Sequence, residues 1–579
     1  MKDARIRAFS RLAGSNFRTL SVPLLIGAVM YAWAGTAHAT PECQNLGAGD
    51  PMTTTGDVVT NGNDLCTVTS ASPLTNNVDA LTQGAATGSV DTLKLDATTA
   101  AGGSFSFNLS KIGSEFTNFE AVQIESSTGT SVTVSGTNSA SAVWLNHGFV
   151  RGNATFVGAF TNDGGTLAPG ATPGAVGTMT ITGAYSSGVA VGNFQLDVNL
   201  ALANNPGVNS DLIHVTGTSS GTTMLDVHAL NVTPGAATTG DGLLVMQVDA
   251  TGSTGSFGLT HTIASGAYQY IPVWVADYSG TTDGLFLQSR LREEFYGNAA
   301  LLASEQAMIR ACFRSDQRIP DAPHSREDVR MWAGGATGSF KTGSDAGVEM
   351  EDQQYCVNGG LDFGLGEGIR FGVVGGYGSS SVDVTAPAGL LKLDGSTMAV
   401  EALLAIGTPQ YFFNVSGGYA TTDWTYDGTI ATGLDATQSG LIASAQAGAT
   451  VNVTPFRFKF IGAVNYDQTK CGNDCLLAGM TEDTGIVEAK GTIRIEAMTH
   501  QINPYVAVSF SDDLSGGNTV SYSGESLNFD SGHSLLSLNA GFNAPLDDGI
   551  VFYGDFSVID GMSNSTSGYT AAGGLKAYW

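Results

Sequence analysis

The sequence predicts an all-β protein: a right-handed β-solenoid (β-helix), then a twelve-stranded transmembrane β-barrel that holds a helix in its lumen. Gly accounts for 77 of the 579 residues and charged residues for 13%, a composition that favours strands and turns over helices. From residue 326 onward, apolar and polar side chains alternate with the period of a strand that has two unlike faces. No apolar run of about 20 residues follows the first forty residues, which excludes a helical membrane protein.

The overall charge is strongly acidic. The chain has 24 basic and 52 acidic residues, which gives a formal net charge of −28 and an isoelectric point near 4.4. Proteins that bind nucleic acid need clustered Lys and Arg to replace the counterions of the phosphates. We therefore expect no nucleic-acid partner, and no motif in the chain predicts a cofactor or a resident metal.

The first 39 residues predict a signal peptide. An apolar stretch runs from Leu20 to Trp33, and the small residues Ala37 and Ala39 flank His38 just before Thr40. This order of basic, apolar and small residues is typical of a secretory signal, cleaved between Ala39 and Thr40. The basic residues that open the segment are Lys2, Arg5, Arg7, Arg11 and Arg18.

The segment from residue 40 to about 290 predicts short strands. β-branched runs of four to seven residues alternate with Gly, Asn, Asp and Ser, and they recur every ten to twenty residues. This pattern favours a solenoid, in which each coil is buried only against its neighbours. No strict repeat length emerges, so an ordinary β-sandwich stays open as the alternative. Before Arg290 the segment has eighteen acidic side chains and three basic ones, namely Lys94, Lys111 and Arg151.

No group of residues in this segment has the sequence pattern of a catalytic or metal-binding site. Ser219 lies in a Gly-x-Ser-x-Gly string, but the string sits between two strand-like runs, whereas a nucleophile elbow needs a strand-to-helix turn. Asp211 is more simply explained as a turn-capping residue than as a catalytic acid. The spacing of the histidines is unlike that of metal ligands. They are His147, His214, His228 and His261.

Residues 291–312 predict the one helix, at the start of a linker that extends to residue 325. The stretch is rich in Ala, Leu and Glu, and Leu291, Phe295 and Leu302 recur at helical spacing. A helix of this composition could line a barrel lumen or face solvent as a simple linker.

Residues 326–579 predict the barrel. In the third strand, Ile369, Phe371 and Val373 share one face and Arg370 lies on the other, which indicates a lipid-facing exterior and a polar lumen. Short turns alternate with longer loops at 383–394, 425–437, 470–483 and 514–531, as in barrels with periplasmic turns and outer loops. The strands are expected at 328–340, 352–364, 369–382, 395–407, 410–424, 438–453, 456–469, 484–498, 500–513, 532–544, 549–560 and 567–579.

The closing strand has an apolar face with an aromatic residue at each end. Tyr569 and Trp579 lie ten residues apart, roughly 33 Å along a strand, and Leu575 lies between them on the same face. This length fits the lipid-facing band of a tilted barrel strand between its two aromatic girdles. Tyr578 and Lys576 alternate with this face, so Lys576 is expected in the lumen.

The six cysteines indicate an oxidising compartment. Cys356 alternates with the lipid-facing residues of the second strand, so its side chain should point into the lumen, towards the end of the helix. For the last pair, a zinc site is the alternative to a disulfide. Six cysteines allow fifteen pairings, and position favours Cys43–Cys66, Cys312–Cys356 and Cys471–Cys475.

Two stretches carry a resemblance to a known family. Residues 164–174 contain Leu-Ala-Pro-Gly, and residues 209–217 read Asn-Ser-Asp-Leu-Ile-His-Val-Thr-Gly. With the aromatic residues that follow, the region 160–290 resembles the pertactin-like junction of autotransporters. The resemblance implies a passenger segment at 40–290, a helix that threads the barrel, and Sec-dependent export. It also implies that the barrel-assembly machinery reads the closing strand, with Tyr569, Leu575, Tyr578 and Trp579 as the signal. Asn298 has no Asn neighbour, unlike the paired Asn at which some members cleave themselves.

These observations predict an outer-membrane autotransporter of type V secretion. We expect its barrel to translocate and anchor an acidic, non-enzymatic passenger at the cell surface. There the passenger would serve adhesion or virulence by binding a host or neighbouring cell. Two alternatives stay open at this point: a passenger that is a secreted hydrolase or released effector, and a barrel that acts as a porin-like channel. Outer-membrane lipid, the Sec machinery and the barrel-assembly machinery are the expected partners.

Overall fold

The chain was analysed as a computed structural model, which describes most residues from 65 onward. The described ranges are 65–69, 81–82, 90–114, 116–117, 119–230, 233–313, 329–343, 348–429, 432–471, 475–499, 501–515, 518–529, 534–547, 549–562 and 566–579. Within them the protein is all-β apart from one long helix and two short 3-10 turns, Thr99–Ala101 and Leu109–Lys111, which confirms the all-β part of the predicted fold class. Among these residues, no helix has both the length and the apolarity to cross a membrane.

Twenty-two described strands precede the helix. Most are short, in line with the β-branched runs between turn residues. They are β1 (Leu65–Thr69), β2 (Leu81–Thr82), β3 (Thr92–Ala97), β4 (Phe105–Asn108), β5 (Phe116–Thr117), β6 (Ala121–Ser126), β7 (Val132–Thr137), β8 (Ala142–Asn146), β9 (Phe149–Phe156), β10 (Ala159–Asp163), β11 (Thr166–Pro169), β12 (Thr178–Ile181), β13 (Tyr185–Ser187), β14 (Gly192–Val198), β15 (Leu212–Val215), β16 (Ser219–Ser220), β17 (Thr222–Ala229), β18 (Leu243–Val248), β19 (Ser256–Leu259), β20 (Ile263–Ser265), β21 (Tyr268–Val275) and β22 (Asp283–Leu291).

Most of these strands form three ladders of parallel strands, and strands that follow one another in the chain belong to different ladders. One ladder runs β1-β3-β6-β8-β10-β13-β16, a second runs β4-β7-β9-β11-β14-β17-β19, and a third runs from the end of β9 through β12, β15 and β18. Every neighbouring pair within these ladders is parallel. From β10 to β18 the chain passes through the three ladders in a fixed order, so strands three apart in sequence are neighbours in space.

The side chains between the ladders form one apolar core. Burial alternates along β3 with a period of two, which places its apolar residues inside and its polar residues outside. Aromatic rings contact one another along this core: ring centroids lie 5.0 Å apart for Phe156 and Phe160, 6.4 Å for Phe160 and Tyr185, and 5.2 Å for Tyr185 and Phe194. Successive strands are therefore also linked through their side chains.

The parallel ladders end in an antiparallel unit made of β18, β22, β21 and β20. Tyr268, Tyr270 and Phe286 are buried there, and the Trp274 ring stacks on Phe257 with centroids 5.4 Å apart. The Tyr270 hydroxyl donates to the Ala236 carbonyl at 2.8 Å, and burial raises the pKa of Tyr270 to about 12. This unit covers the open end of the parallel ladders.

The helix α1 spans Glu293–Met308 and continues as a π-helical turn over Ile309–Phe313. It starts two residues later than expected because Leu291 still pairs with Tyr268 as the last residue of β22. Nearly all of its side chains are buried, which rules out a helix facing solvent.

Fifteen strands follow the helix, and twelve of them close into a barrel in which the last strand pairs with the first. The predicted count of twelve is confirmed. The barrel strands are β23 (Val329–Gly343), β24 (Glu349–Gly366), β25 (Ile369–Ala386), β26 (Gly389–Gly407), β27 (Tyr411–Asp427), β28 (Thr432–Val453), β29 (Phe456–Lys470), β31 (Gly485–Ala497), β32 (Asn503–Ser515), β35 (Ser534–Asp547), β36 (Ile550–Gly561) and β37 (Ser567–Tyr578), and the others are β30 (Thr481–Asp483), β33 (Asn518–Tyr522) and β34 (Glu525–Phe529).

Four predicted loops differ from the structure. The loop expected at 383–394 is a hairpin in which β25 and β26 pair up to Ala386 and Gly389, and the loop expected at 425–437 shrinks to residues 428–431. The loops at 470–483 and 514–531 contribute β30, β33 and β34 to a separate three-stranded sheet, called here the outer sheet. The physical reason is burial, because inward apolar residues of these extensions pack on the helix.

The outer half of the lumen is therefore apolar, not polar as alternation alone predicted. Leu301 and Leu302 of the helix pack there against side chains of β24–β28 and of the outer sheet. The buried partners include Met350, Val382, Val384, Leu391, Leu393, Trp424, Val520 and Leu527.

Candidate functional site

The barrel exterior carries an apolar band. On β25 the outward residues Ile369, Phe371, Val373 and Tyr377 are 38–47% exposed, whereas Arg370 is only 4% exposed and faces the lumen. The next outward residues towards the outer sheet are polar, starting at Ser379. Large apolar side chains that point outward all around a closed sheet match the lipid-facing belt of a membrane barrel.

The closing strand β37 completes this band. Tyr569 and Leu575 are each 48% exposed and Trp579 is 58% exposed, all on the apolar face that the sequence predicts. The backbone of Trp579 exchanges two hydrogen bonds with Val329 at 3.1 Å, and Tyr578 pairs with Arg330 in the β23 ladder. Lys576, on the opposite face, lines a cavity in the lumen, as predicted.

Polar contacts fix the helix to one side of the lumen wall. The Ser304 hydroxyl donates to Asp352 of β24 at 2.7 Å, and Gln354 donates to the Ser304 carbonyl at 3.2 Å. Asp352 also accepts from Ser380 at 2.5 Å, and all four side chains are buried or nearly so. A buried carboxylate with several donors holds its partners in one arrangement, since any shift leaves a polar group unpaired.

The outer sheet contacts the helix both near its start and near its end. Asn298 donates to Glu482 of β30 at 2.5 Å, and Gln306 and Asn518 of β33 exchange two side-chain hydrogen bonds at 2.9 and 2.8 Å. Burial raises the pKa of Glu482 to about 7, against the opposing hydrogen bonds from Cys471 and Asn298. None of these partners follows from a sequence pattern, because they come from loops far apart in the chain.

Cys312 and Cys356 meet where the sequence predicts. They are joined in a disulfide with a Cα–Cα distance of 6.0 Å, inside the usual range for such bonds. Asn358, which also faces inward on β24, donates to the Cys312 carbonyl at 2.8 Å. The end of the helical segment is thus bonded covalently to the wall.

Cys471 and Cys475 lie in the outer loop before β30 and are also joined, with a Cα–Cα distance of 5.0 Å. In the described part of the chain, they and Glu482 are the one group of potential metal ligands within 4.8 Å of one another. A disulfide leaves no thiolate to bind zinc, so the joined cysteines favour the disulfide over the zinc site.

Three predicted features lie outside the described residues. These are the signal peptide, its cleavage site between Ala39 and Thr40, and the Cys43–Cys66 disulfide, since neither Cys43 nor the side chain of Cys66 is described. Their roles stay predictions.

Asp211 has a structural role in the N-terminal segment. Its carboxylate accepts from the backbone amides of Gly177 at 2.7 Å and Asp197 at 2.8 Å, so it joins the residue before β12 to the end of β14. Burial raises the pKa of Asp211 to about 7 despite these hydrogen bonds. These contacts are long-range, so they differ from the local turn cap that the sequence predicts.

The other candidates of this segment are not brought together into a site. Ser219 is 1% exposed within β16, and its hydroxyl has no hydrogen-bond partner there. His214 pairs with Asp249 at 2.8 Å, and His228 and His261 both lie beside Asp226, at 3.4 and 3.5 Å. His147 contacts Asn146 in an exposed turn.

One family model matches the chain. Residues 155–271 match Autochaperone Domain Type 1, a range that contains β10 to β20 and the first half of β21. Among curated proteins, none matches.

Several solved structures resemble the C-terminal half. The transport unit of the autotransporter AIDA-I from Escherichia coli has 16% identity and a TM-score of 0.41, covering 50% of this chain and 100% of its own. The translocator domain of autotransporter NalP from Neisseria meningitidis has 12% identity and a TM-score of 0.38, covering 49% and 98%. The beta domain of the Bordetella autotransporter Brka has 16% identity and a TM-score of 0.34, covering 44% and 100%. The predicted resemblance to autotransporters is confirmed by the family match, which falls on residues 155–271, the segment that carries the resemblance in sequence.

Proposed function

We propose that the chain is an outer-membrane autotransporter whose barrel translocates and anchors the passenger, residues from about 40 to 290, at the cell surface. The main support for this proposal is the path of the chain. Strand β22 leads directly into a helix that fills the outer lumen, and the helical segment ends in a disulfide to the wall. Near the helix start, Glu293 accepts from the Thr429 amide between β27 and β28, at the barrel end opposite the short turns. The passenger therefore leaves the barrel at the end that we assign to the outside.

The passenger is proposed to be a right-handed β-solenoid. Three parallel ladders visited in rotation, with one continuous core between them, support this architecture over a sandwich. The spacing between paired residues varies, from 17 residues for Ala142 and Ala159 to 34 for Thr178 and Leu212. This variation explains why the sequence has no strict repeat.

The passenger is further proposed to be a non-enzymatic surface module for adhesion to a host or neighbouring cell. Its supports are the burial of Ser219 and the dispersed, carboxylate-paired histidines. A hydrolase would need a nucleophile that substrate can reach, next to a base. A passenger released as an effector is the remaining alternative, and analysis of the culture medium separates it from an attached one.

The expected partners are outer-membrane lipid, the Sec machinery for export of the signal peptide, and the barrel-assembly machinery for insertion. Deletion of Tyr578 and Trp579 should block barrel assembly while the signal peptide is still removed. Lys576→Ala, on the lumen face of the same strand, is the matched control and should assemble. Equal assembly of all three proteins, read as heat-modifiable migration in gels, would count against the assembly signal.

The test of export is the location of the passenger. An antibody against residues 60–250 should bind intact cells, or should detect that region in the culture medium. Retention of the region inside cells with a folded barrel would refute the proposal.

A porin-like channel is the second candidate for the barrel. The filled outer lumen disfavours it, because the helix and the outer sheet occupy the space that a wide pore needs. In planar bilayers, a large steady conductance from the intact chain would favour the porin.

A further inference from the structure

The helix lies off-centre in the lumen. Its polar and covalent contacts attach it to β24, β25 and the outer sheet. On its other side, a cavity of about 250 Å³ separates it from the wall formed by β31, β32, β35, β36 and β37. The helix contributes small side chains to this cavity, among them Ala303, Ala307 and Ala311.

The cavity is long. On β37 its lining extends from Thr570 to Lys576, and on β31 it extends from Glu488 to Arg494. Six residues of a strand cover roughly 20 Å, so the cavity follows most of the membrane-spanning part of the wall. It is narrow across the strands because the helix occupies the rest of the lumen.

The lining is basic although the protein is acidic. Arg310, Lys490, Arg494 and Lys576 face two carboxylates, Glu488 and Asp555. Glu488 already pairs with Arg310 at 3.7 Å, and Asp555 accepts the Tyr505 hydroxyl at 2.5 Å. Two further carboxylates lie beside these cations, Asp513 at 3.5 Å from Arg310 and Glu496 at 3.6 Å from Arg494, but neither lines the cavity. Among the lining residues alone, four cations face two carboxylates.

Arg494 has a donor that no protein group uses. Arg494 is 8% exposed, and its guanidinium lies 3.5 Å from the centre of the Tyr505 ring. The Nε atom of Arg494 is buried and has no hydrogen-bond partner. One terminal nitrogen lies 3.6 Å from Glu496. Guanidinium groups bind anions through such N–H donors, and a low dielectric strengthens the contact.

We propose that this cavity, called here the lumenal anion site, binds small inorganic anions and makes the residual conductance of the assembled barrel anion-selective. The proposal rests on the proposed function in one respect, namely that the barrel lies in a membrane. Charged walls concentrate ions of the opposite sign, and a narrow site with low-dielectric walls enhances that effect. The volume favours ions such as chloride or phosphate over organic solutes.

The test is the reversal potential of the full chain in planar bilayers under a potassium chloride gradient. We expect chloride to permeate better than potassium. Substitution of both Arg494→Gln and Lys576→Gln should reduce the ratio of the two permeabilities at least about twofold, since it removes two of the lining cations. Lys341→Gln is the matched control, because Lys341 is a highly exposed residue that pairs with Glu351 at 3.0 Å and is absent from the cavity lining.

Heat-modifiable migration must first show that each variant is folded, and the single variant Lys576→Gln serves if the double variant fails. The proposal is overturned by selectivity for potassium, by no selectivity, by no current from folded wild-type barrels, or by equal ratios in wild-type and lumen variants. Detection of residues 60–250 on cells that express the same variants reports export separately. A passenger that is exported by a barrel without anion selectivity would refute the anion site and leave the proposed function intact.

Discussion

Apolar and polar side chains alternate along the strands of both the passenger and the barrel. The apolar side chains point inward in the passenger and outward in the barrel. In the passenger, Phe194 is fully buried between coils, whereas in the barrel Phe371 is 41% exposed on the exterior. Both residues lie on strands whose neighbours alternate between polar and apolar. The pattern alone therefore does not say which face is inside; the length of the strands and the position of the charges do.

The contrast shows how each region is stabilised. The passenger segment excludes water from the apolar core between its parallel ladders, so its stability comes from close packing and from aromatic contacts such as Tyr185 with Phe194. The barrel exterior needs lipid as its neighbour, and its specific contacts are in the lumen, where Asp352 and Glu482 hold the helix. Substitutions of the same kind should therefore have different effects in the two regions.

Phe194→Ala should have the largest effect. It removes a fully buried ring and leaves a cavity, and such changes lower the free energy of unfolding by about 3–5 kcal/mol. The matched change Phe371→Ala should lower it by about 1–2 kcal/mol, because lipid fills the gap and only the transfer free energy is lost. Urea denaturation, followed for each region by limited proteolysis, measures both. Equal losses would contradict the contrast.

Val373→Arg places a charge near the middle of the apolar band. A basic residue on the lipid face at the midplane of a membrane barrel lowers the free energy of unfolding by about 2–4 kcal/mol. The same change at Val208, 65% exposed on the passenger, should alter stability by less than about 0.5 kcal/mol. Folding into lipid vesicles gives the barrel value. A barrel that accepts Val373→Arg freely would mean that this face does not contact lipid.

Loss of the lumenal disulfide should loosen the helix. The double variant Cys312→Ser, Cys356→Ser should lower the free energy of unfolding by about 2–4 kcal/mol, the usual range for a native disulfide. Peptide mapping without reduction should first recover Cys312 and Cys356 in one linked peptide from the wild type. Recovery of the two residues as separately alkylated thiols would refute the bond.

Asp211 should make passenger stability depend on pH. Its pKa is about 7 in the folded state, above the usual value for aspartate, so its contribution is fully present at acidic pH and is lost as pH rises through 7. Between pH 5 and pH 8 the passenger should lose ~1–3 kcal/mol. Asp211→Asn should flatten this dependence, and Asp241→Asn, at an exposed position, should not. If stability depends on pH as steeply in Asp211→Asn as in the wild type, a group other than Asp211 causes the dependence.

Much of the barrel is predictable from the sequence because lipid imposes a simple rule. Strand alternation placed Arg370, Cys356 and Lys576 inside and Phe371 and Trp579 outside, and the strand count followed from the turns. The rule stops where the strands leave the membrane. Inward residues such as Val384 and Leu391 are apolar there because they pack on the helix, and a pattern read strand by strand does not contain that partner.

The contacts that hold the helix were not predictable for a different reason. Asn298 with Glu482 and Gln306 with Asn518 join residues more than 180 positions apart, and single polar residues in loops carry no local signal. Cys312 with Cys356 was an exception, since cysteines are few and alternation fixed the direction of one of them. The passenger ladders were only partly predictable, because coil lengths vary and no repeat marks the register.

Labelling of single cysteines on intact cells tests the central claim most directly, that the passenger and the short turns of the barrel lie on opposite sides of the membrane. Val189 is 98% exposed on the passenger, and Glu367 lies in the short turn between β24 and β25. A thiol reagent that cannot cross membranes should label Val189→Cys on intact cells or on passenger in the medium. It should label Glu367→Cys only after lysis. Labelling of Glu367→Cys on intact cells, or of Val189→Cys only after lysis, would contradict the account.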